Sequence, residues 1–262
     1  MPDPIGRNWL LLRGLSREAA HWGEFTPLLQ AQFPTARIST LDLPGTGTRY
    51  RETSPDSIDA IMASVRHQAL TAGLLSQPLT IVGLSLGGMV AWEWMLKHPR
   101  DIGAAALINT SMASLSPFYQ RLRWQSYPNF FKLLMQPNRF RRELAIVRCV
   151  ANRRDRDQQT ASAWARIQAE RPVTYANTLR QLAAAARYRP GDKKPDVPLL
   201  LLSGRGDRLV APACSDAIQT HWRLPLKSHP WAGHDLTLDD PDWAVKHLKD
   251  WVEQLGMQPK IT

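Results

Sequence analysis

The stretch that most constrains this chain is Leu79-Thr80-Ile81-Val82-Gly83-Leu84-Ser85-Leu86-Gly87-Gly88-Met89-Val90-Ala91. Its first half is a short apolar run rich in β-branched residues, as in a buried strand. Its second half leads into Met89–Lys97, a good helix former. Between them stands Gly-x-Ser-x-Gly, with Gly83, Ser85 and Gly87 at the required spacing. That arrangement predicts a sharp strand-to-helix turn, with the serine in a strained backbone conformation and its hydroxyl pushed outward. A Cβ at either glycine would collide with a neighbouring element. The helix behind the serine aims free N–H groups and its positive dipole end at the same point. A phosphate loop would need a lysine followed by Ser or Thr, and a dinucleotide turn would need Gly-x-Gly-x-x-Gly; neither is present.

A strand-and-helix alternation surrounds this turn. Trp9–Leu12, Ala36–Leu41 and Ile102–Ile108 read as strands before and after it. Helices are expected around His21–Phe33, with Pro27 near the start, and from Ser54-Pro55-Asp56-Ser57 to about Ala72. From 112 to 190 the pattern changes to helical stretches broken by Pro117, Pro128, Pro137 and Pro172, with no clear strand. The alternation then resumes: strand Val197–Leu202, helix Pro212–Trp222, strand Leu224–Ser228, helix Asp242–Leu255. Such alternation predicts an α/β fold, a mostly parallel sheet with helices on both faces. The expected organisation is a core of 1–111 and 191–262 with a helical cap of 112–190 inserted in it.

With 262 residues, 44% of them hydrophobic, the chain can bury one sizeable core plus an insertion. Its apolar runs are too short for a membrane span. Residues Met1–Asn8 lack the apolar core of an export leader, and Cys149 and Cys214 form no metal or redox pattern. The expectation is a reduced, cytoplasmic protein.

A nucleophilic serine needs a base, and the base needs an orienting acid. Of seven histidines, His234 lies in Trp231-Ala232-Gly233-His234-Asp235-Leu236, between the last strand and the last helix. It is expected at a slightly buried pocket edge. Asp207, in Ser203-Gly204-Arg205-Gly206-Asp207-Arg208-Leu209-Val210, follows a buried strand and so falls at the edge where open α/β sheets keep their sites. Alone, Asp207 also reads as a helix-leading cap and His234 as a loop-fixing residue, each the lesser of two readings. Together, in the order Ser…Asp…His and each after its own strand, they favour Ser85, His234 and Asp207 as nucleophile, base and acid.

Arg13-Gly14-Leu15, Asp42-Leu43-Pro44-Gly45-Thr46-Gly47, Gly83–Gly88, Asp207–Val210 and Gly233-His234 resemble the matching pieces of capped, single-domain α/β-hydrolases over nearly the whole chain. The resemblance implies that triad, an oxyanion hole from the backbone N–H groups of Leu15 and Leu86, and a pocket touching Gly14, Leu84, Ser111, Phe118, Leu209 and Leu236. It implies no metal and no organic cofactor. Relatives carry His-Gly where this chain has Arg13-Gly14, so Arg13 is expected to brace the oxyanion loop through backbone carbonyls. Its alternative role is to present a positive charge to an acidic acyl chain. A serine at position 85 excludes a dehalogenase, which would place aspartate there. The triad fits attack on an ester, thioester or lactone carbonyl, and also perhydrolysis, C–C bond cleavage or acyl transfer. Of that set the expected activity is a serine carboxylesterase working through an acyl-enzyme, of the class that hydrolyses carboxylic esters.

The net charge of +10 is concentrated. Residues 113–190 hold fifteen basic and four acidic residues, a net of +11; the remainder holds eighteen and nineteen, a net of −1. The cap aromatics Phe118, Tyr119, Trp124, Tyr127, Phe130, Phe131 and Trp164 accompany these arginines. The plain expectation is an arginine-rich solvated face over an apolar, pocket-facing side. No recognition module supports nucleic acid as partner, and a phospholipid surface is a further option. The sharper alternative is a thioesterase or methyl esterase acting on acyl-carrier-protein or CoA-linked acids, because pimeloyl-carrier-protein methyl ester esterases resemble the Asp-Leu-Pro-Gly and Ser-Leu-Gly-Gly stretches. An alternative of another class is a member of the fold that binds small molecules without catalysis.

Overall fold

In the computed structural model, the structure describes residues 5–123 and 136–257. Among the described residues six parallel strands form one sheet: β1 (Asn8–Leu12), β2 (Arg37–Leu41), β3 (Leu79–Leu84), β4 (Ile102–Ile108), β5 (Leu199–Gly204) and β6 (Leu226–His229), in the order β2-β1-β3-β4-β5-β6. Because every strand runs the same way, all six strand exits lie along one edge. The chain leaves β1 for β2 and then returns to the other side of β1 for β3. The exits of β1 and β3 therefore diverge, which opens a crevice at the sheet edge.

The four inner strands, β1, β3, β4 and β5, are buried on both faces, as a doubly covered parallel sheet requires, while the edge strands β2 and β6 are more polar. Their alternation assigns each residue a side. Leu10, Leu12, Ile81, Ala105, Leu107, Leu199 and Leu201 join one core. There they meet α2 (Ile58–Thr71), α3 (Leu86–Lys97) and α8 (Ala213–Trp222). Trp9, Leu11, Val82, Leu84, Ala104, Ala106, Leu200 and Leu202 join the other, against α1 (Phe25–Gln32) and the closing helix α10 (Pro241–Met257). Trp92 of α3 packs against Trp222 of α8 with ring centroids 4.3 Å apart and planes tilted by 41°.

Several element ends differ from the sequence expectation for local reasons. Gly23, at φ +50°, ends a 3-10 turn (Ala19–Trp22) and separates it from α1, whose first turn accommodates Pro27. Helix α2 starts after Ser57, whose hydroxyl accepts from Ala60 N–H, so Pro55 lies outside it. Leu224 N–H bonds Gln219 C=O beyond a left-handed Arg223, which ties Leu224 back to the end of α8, and β6 begins only at Leu226. A four-residue helix α9 (Leu236–Asp239), capped by Asp235, is an addition.

Between β4 and β5 the described residues form α4 (Phe118–Arg121), α5 (Arg139–Val150), α6 (Asp157–Glu170) and α7 (Tyr175–Arg187), and no strand. The expected cap aromatics Trp124, Tyr127, Phe130 and Phe131 lie outside the described residues. Helices α5 and α6 share a small apolar cluster of Val147, Ala161 and Trp164. Helix α7 departs from the expected apolar inner side. Its inner positions are Asn177, Gln181 and Ala184, while Tyr175 and Leu179 are exposed.

Candidate active site

Ser85 sits where β3 becomes α3, with φ +55° and ψ −115°, a region that a non-glycine residue enters only under constraint. The constraint is visible on both sides of the turn. Ser85 N–H donates to Ile108 C=O at 2.8 Å, and Ser85 C=O accepts from the Thr110 hydroxyl at 2.9 Å. A Cβ on Gly83 would stand 2.6 Å from Gly87 C=O, and one on Gly87 2.3 Å from Leu12 C=O. Side chains at those positions would thus force β3, α3 and β1 apart. The Ser85 hydroxyl makes no hydrogen bond with the described residues, and the residue is partly exposed. Leu86 is the first residue of α3, so its N–H has no partner within the helix.

Asp207 and His234 come together. Asp207 leaves the end of β5, and its Oδ1 accepts from Leu209 N–H at 2.8 Å and Val210 N–H at 2.9 Å. Oδ2 lies 2.7 Å from His234 Nδ1. The carboxylate is thus turned by its own loop toward the imidazole. Both residues are buried, His234 at 5% exposure, which is deeper than the slightly buried edge expected for it.

The loop carrying His234 is pinned by groups that the sequence did not single out. Asn109, at the end of β4 with φ +47°, donates through Nδ2 to Gly233 C=O (3.1 Å) and His234 C=O (2.8 Å). Its Oδ1 accepts from Gly204 N–H at 2.9 Å, so one buried amide ties β4, β5 and the histidine loop. Asp239 accepts from Gly233 N–H at 2.6 Å and from the N–H groups of Asn152 and Arg153. Burial raises the Asp239 pKa, although those three N–H bonds oppose the shift. The available signal was the polar run Asn109-Thr110-Ser111 closing a buried strand, with Asn the residue that best tolerates a left-handed backbone there.

Arg13 does not bond backbone carbonyls as expected. Its Nη1 and Nη2 both reach the carboxylate of Asp235, and its guanidinium lies 4.9 Å over the Trp22 ring. Asp235 is therefore not a spare acid for His234: its Oδ1 also accepts from the Thr237 hydroxyl and Leu238 N–H. Burial pushes the Asp235 pKa up, but the Arg13 charge and hydrogen bonds, with that of Thr237, bring it below the ordinary aspartate value.

The remaining expected site residues are scattered in exposure. Gly14 abuts the nucleophile position, since a Cβ there would stand 3.1 Å from Ser85 Cβ. Leu15 and Leu209 are half-buried at their strand exits. Leu84 and Leu236 belong to the core beside α1 and α10. Ser111 is buried with its hydroxyl 3.3 Å from Arg121 Nε, while Phe118 is 72% exposed and packs edge-on against Tyr119.

Neither cysteine is in a disulfide, and burial pushes the Cys214 thiol up to about 11, away from a nucleophile's range. Among the described residues no group of three or more His, Cys, Asp or Glu converges as metal ligands would. No described helix is long and apolar enough to cross a membrane.

Residues 9–247 match the Alpha/beta hydrolase family. The chain is 26% identical over 258 residues to a pimeloyl-[acyl-carrier protein] methyl ester esterase of Aromatoleum aromaticum, covering 93% of this chain and 97% of that protein. It is 23% identical over 272 residues to the biotin biosynthesis bifunctional protein BioHC of Teredinibacter turnerae, covering 97% of this chain and 46% of that longer protein. Thus the chain spans about half of one curated relative and nearly all of the other. Among solved structures, the enol-lactonase from Burkholderia xenovorans LB400 superposes with a TM-score of 0.73 at 17% identity, covering 94% of this chain and 92% of that one.

Proposed function

Since the chain belongs to the alpha/beta hydrolase family, we propose that it is a serine hydrolase that cleaves carboxylic esters. The observation that carries this reading is the strained, partly exposed Ser85 at the sheet edge that also presents the His234–Asp207 pair. Ser85 Oγ attacks the ester carbonyl carbon while His234 Nε2 takes its proton. Asp207 holds the imidazole in the tautomer that leaves Nε2 free to accept, and it stabilises the imidazolium. The negative charge that develops on the carbonyl oxygen is met by the N–H groups of Leu86 and Leu15. Collapse expels the alcohol with the proton from His234. Water then attacks the acyl-serine with His234 as base, and the acid is released.

In this reading residues 112–190 cap the site. Arg123 connects that segment to the acid loop: its Nη1 donates to Asp207 C=O at 2.9 Å and its N–H to Leu209 C=O. Phe118 then stands at the mouth rather than in the floor.

The test is covalent labelling with a fluorophosphonate beside hydrolysis of short p-nitrophenyl esters. Wild type is expected to be labelled and active, and Ser85→Ala to be neither. Asp207→Asn should lower kcat on the order of 10⁴-fold. A folded wild type that is neither labelled nor hydrolytic would instead support a binding protein without catalysis.

A second reading, with a carrier- or CoA-linked methyl ester or thioester as substrate, is favoured by the full-length likeness to the pimeloyl-carrier esterase and by exposed Arg139 and Arg141 at the start of α5. Much of the remaining basic charge is already matched. Arg156 pairs with Glu24, Arg171 with Glu18 and Arg187 with Asp56, joining this segment to the core. Steering by the exposed arginines would make kcat/KM for an anionic carrier substrate fall with salt, while that for a neutral ester stays flat. Equal responses would leave the plain esterase.

A further inference from the structure

The turn Arg13-Gly14-Leu15 leaves β1, and the loop Gly233-His234-Asp235 leaves β6; these strands lie on opposite sides of β3 in the sheet. One contact joins the two loops directly, and it uses the residue just before the glycine of the first and the residue just after the histidine of the second. We propose that Arg13 and Asp235 are a positioning pair that sets the oxyanion turn and the His234 loop at one separation across Ser85. This rests on the Ser85, His234 and Asp207 reading above.

Four features support a geometric role. Both side chains are buried, at 4% and 3% exposure, so water does not compete for the contact. The contact is a two-pronged fork, Nη1 to Oδ1 and Nη2 to Oδ2, which fixes angle as well as distance. Each partner is held from its own side: the guanidinium lies over Trp22, and the carboxylate accepts from Thr237 and Leu238. Finally, Asp235 N–H donates to Val150 C=O at 2.8 Å, so the end of α5 is keyed to the same loop.

A stability role alone accounts for this poorly. Desolvating two charges offsets most of their attraction, and well-packed apolar residues of similar shape serve a core as well or better. What an apolar pair lacks is a preferred angle. Neither side chain is a catalytic residue in this scheme. The carboxylate oxygens of Asp235 are occupied by Arg13, Thr237 and Leu238, while His234 Nδ1 is taken by Asp207. Their influence runs through Leu15 N–H and through the placement of the imidazole, where displacement by about 1 Å costs on the order of 10²-fold in rate.

The experiment compares wild type, Arg13→Met, Arg13→Lys, Asp235→Leu and the double variant Arg13→Met/Asp235→Leu on a p-nitrophenyl ester. Melting temperature, kcat and KM separately, and the rate of fluorophosphonate labelling are measured. The double variant, with no lone buried charge, is expected to melt near wild type yet keep a kcat and labelling rate reduced by roughly 10²-fold with little change in KM. Arg13→Lys, which keeps the charge without the fork, should recover melting temperature more than kcat. A double variant with wild-type kcat and labelling rate would overturn the proposal. So would single variants whose loss of activity only follows their loss of folded protein. If wild type itself is not labelled at Ser85, the hydrolase reading fails and the pair's role with it. Labelling of wild type and the double variant at equal rates would reject the pair alone.

Discussion

Helices α3 and α7 are nearly equal in length, 12 and 13 residues, and both border the site, but they are seated by opposite chemistry. Helix α3 buries Met89, Val90, Trp92, Trp94 and Met95 among the strands and α2. Helix α7 seats itself with amides. Asn177 accepts from Ser54 N–H and donates to Glu52 C=O; Gln181 accepts from Ser16 N–H at 2.9 Å and donates to Pro44 C=O at 3.1 Å. Apolar burial is strong and without direction, so it stabilises α3 while the tight glycine contacts set its angle. Buried amide bonds add little net free energy but permit few orientations. The floor under Ser85 is thus made by the hydrophobic effect. The placement of α7 over the turn that ends at Ser16, itself at φ +55°, is made by hydrogen bonds.

The contrast can be broken most forcefully at Trp92. Trp92→Ala, in the core and against Trp222, should cost about 3–5 kcal/mol in urea unfolding. Turnover per folded molecule should change little. A large loss of kcat at full folding would show that α3 is also set by specific contacts.

Next comes Asp235→Asn, which leaves buried Arg13 without its counter-charge, a loss of about 3 kcal/mol. Here the sign with pH is informative. The folded pKa of Asp235 lies below its unfolded value, so the pair's contribution is complete above the ordinary aspartate pKa of about 4 and is lost as pH falls through the depressed folded value. The stability gap between wild type and Asp235→Asn should therefore be constant near neutrality and shrink only in acid. A gap that shrinks above pH 5 would contradict it.

Gln181→Leu tests the polar seat itself. It orphans Ser16 N–H and Pro44 C=O at nearly constant shape and should cost about 1–3 kcal/mol. Hydrogen exchange should quicken at Ser16 before the core opens. Uniform exchange across α3 and α7 would erase the distinction. Smallest of all, Arg153→Ser removes a solvent-exposed pair with Asp155 and should leave the melting temperature unchanged.

The sequence by itself determined the strand-turn-helix at Ser85, because a β-branched run, two close-approach glycines and a helix former allow one local solution. It determined the sheet class, since short apolar runs alternating with helical stretches are a local signal. It also placed Asp207 and His234 after their own strands. Tertiary structure alone supplied the contacts that keep Asp207 on His234 and turn Asp235 away. Asp207 and Asp235 are both polar loop residues near His234 in the sequence or the fold, and only the folding of Leu209 and Val210 N–H groups onto Asp207, and of Arg13 onto Asp235, separates them. It likewise decided the inner face of α7, where Asn177 and Gln181 found backbone partners from Ser16, Pro44, Glu52 and Ser54. The physical reason is range. Periodicity reports how often a side chain meets water, but a buried polar group is stable only against partners brought from elsewhere in the chain, at separations of 125 and 222 residues for Asn177–Glu52 and Arg13–Asp235.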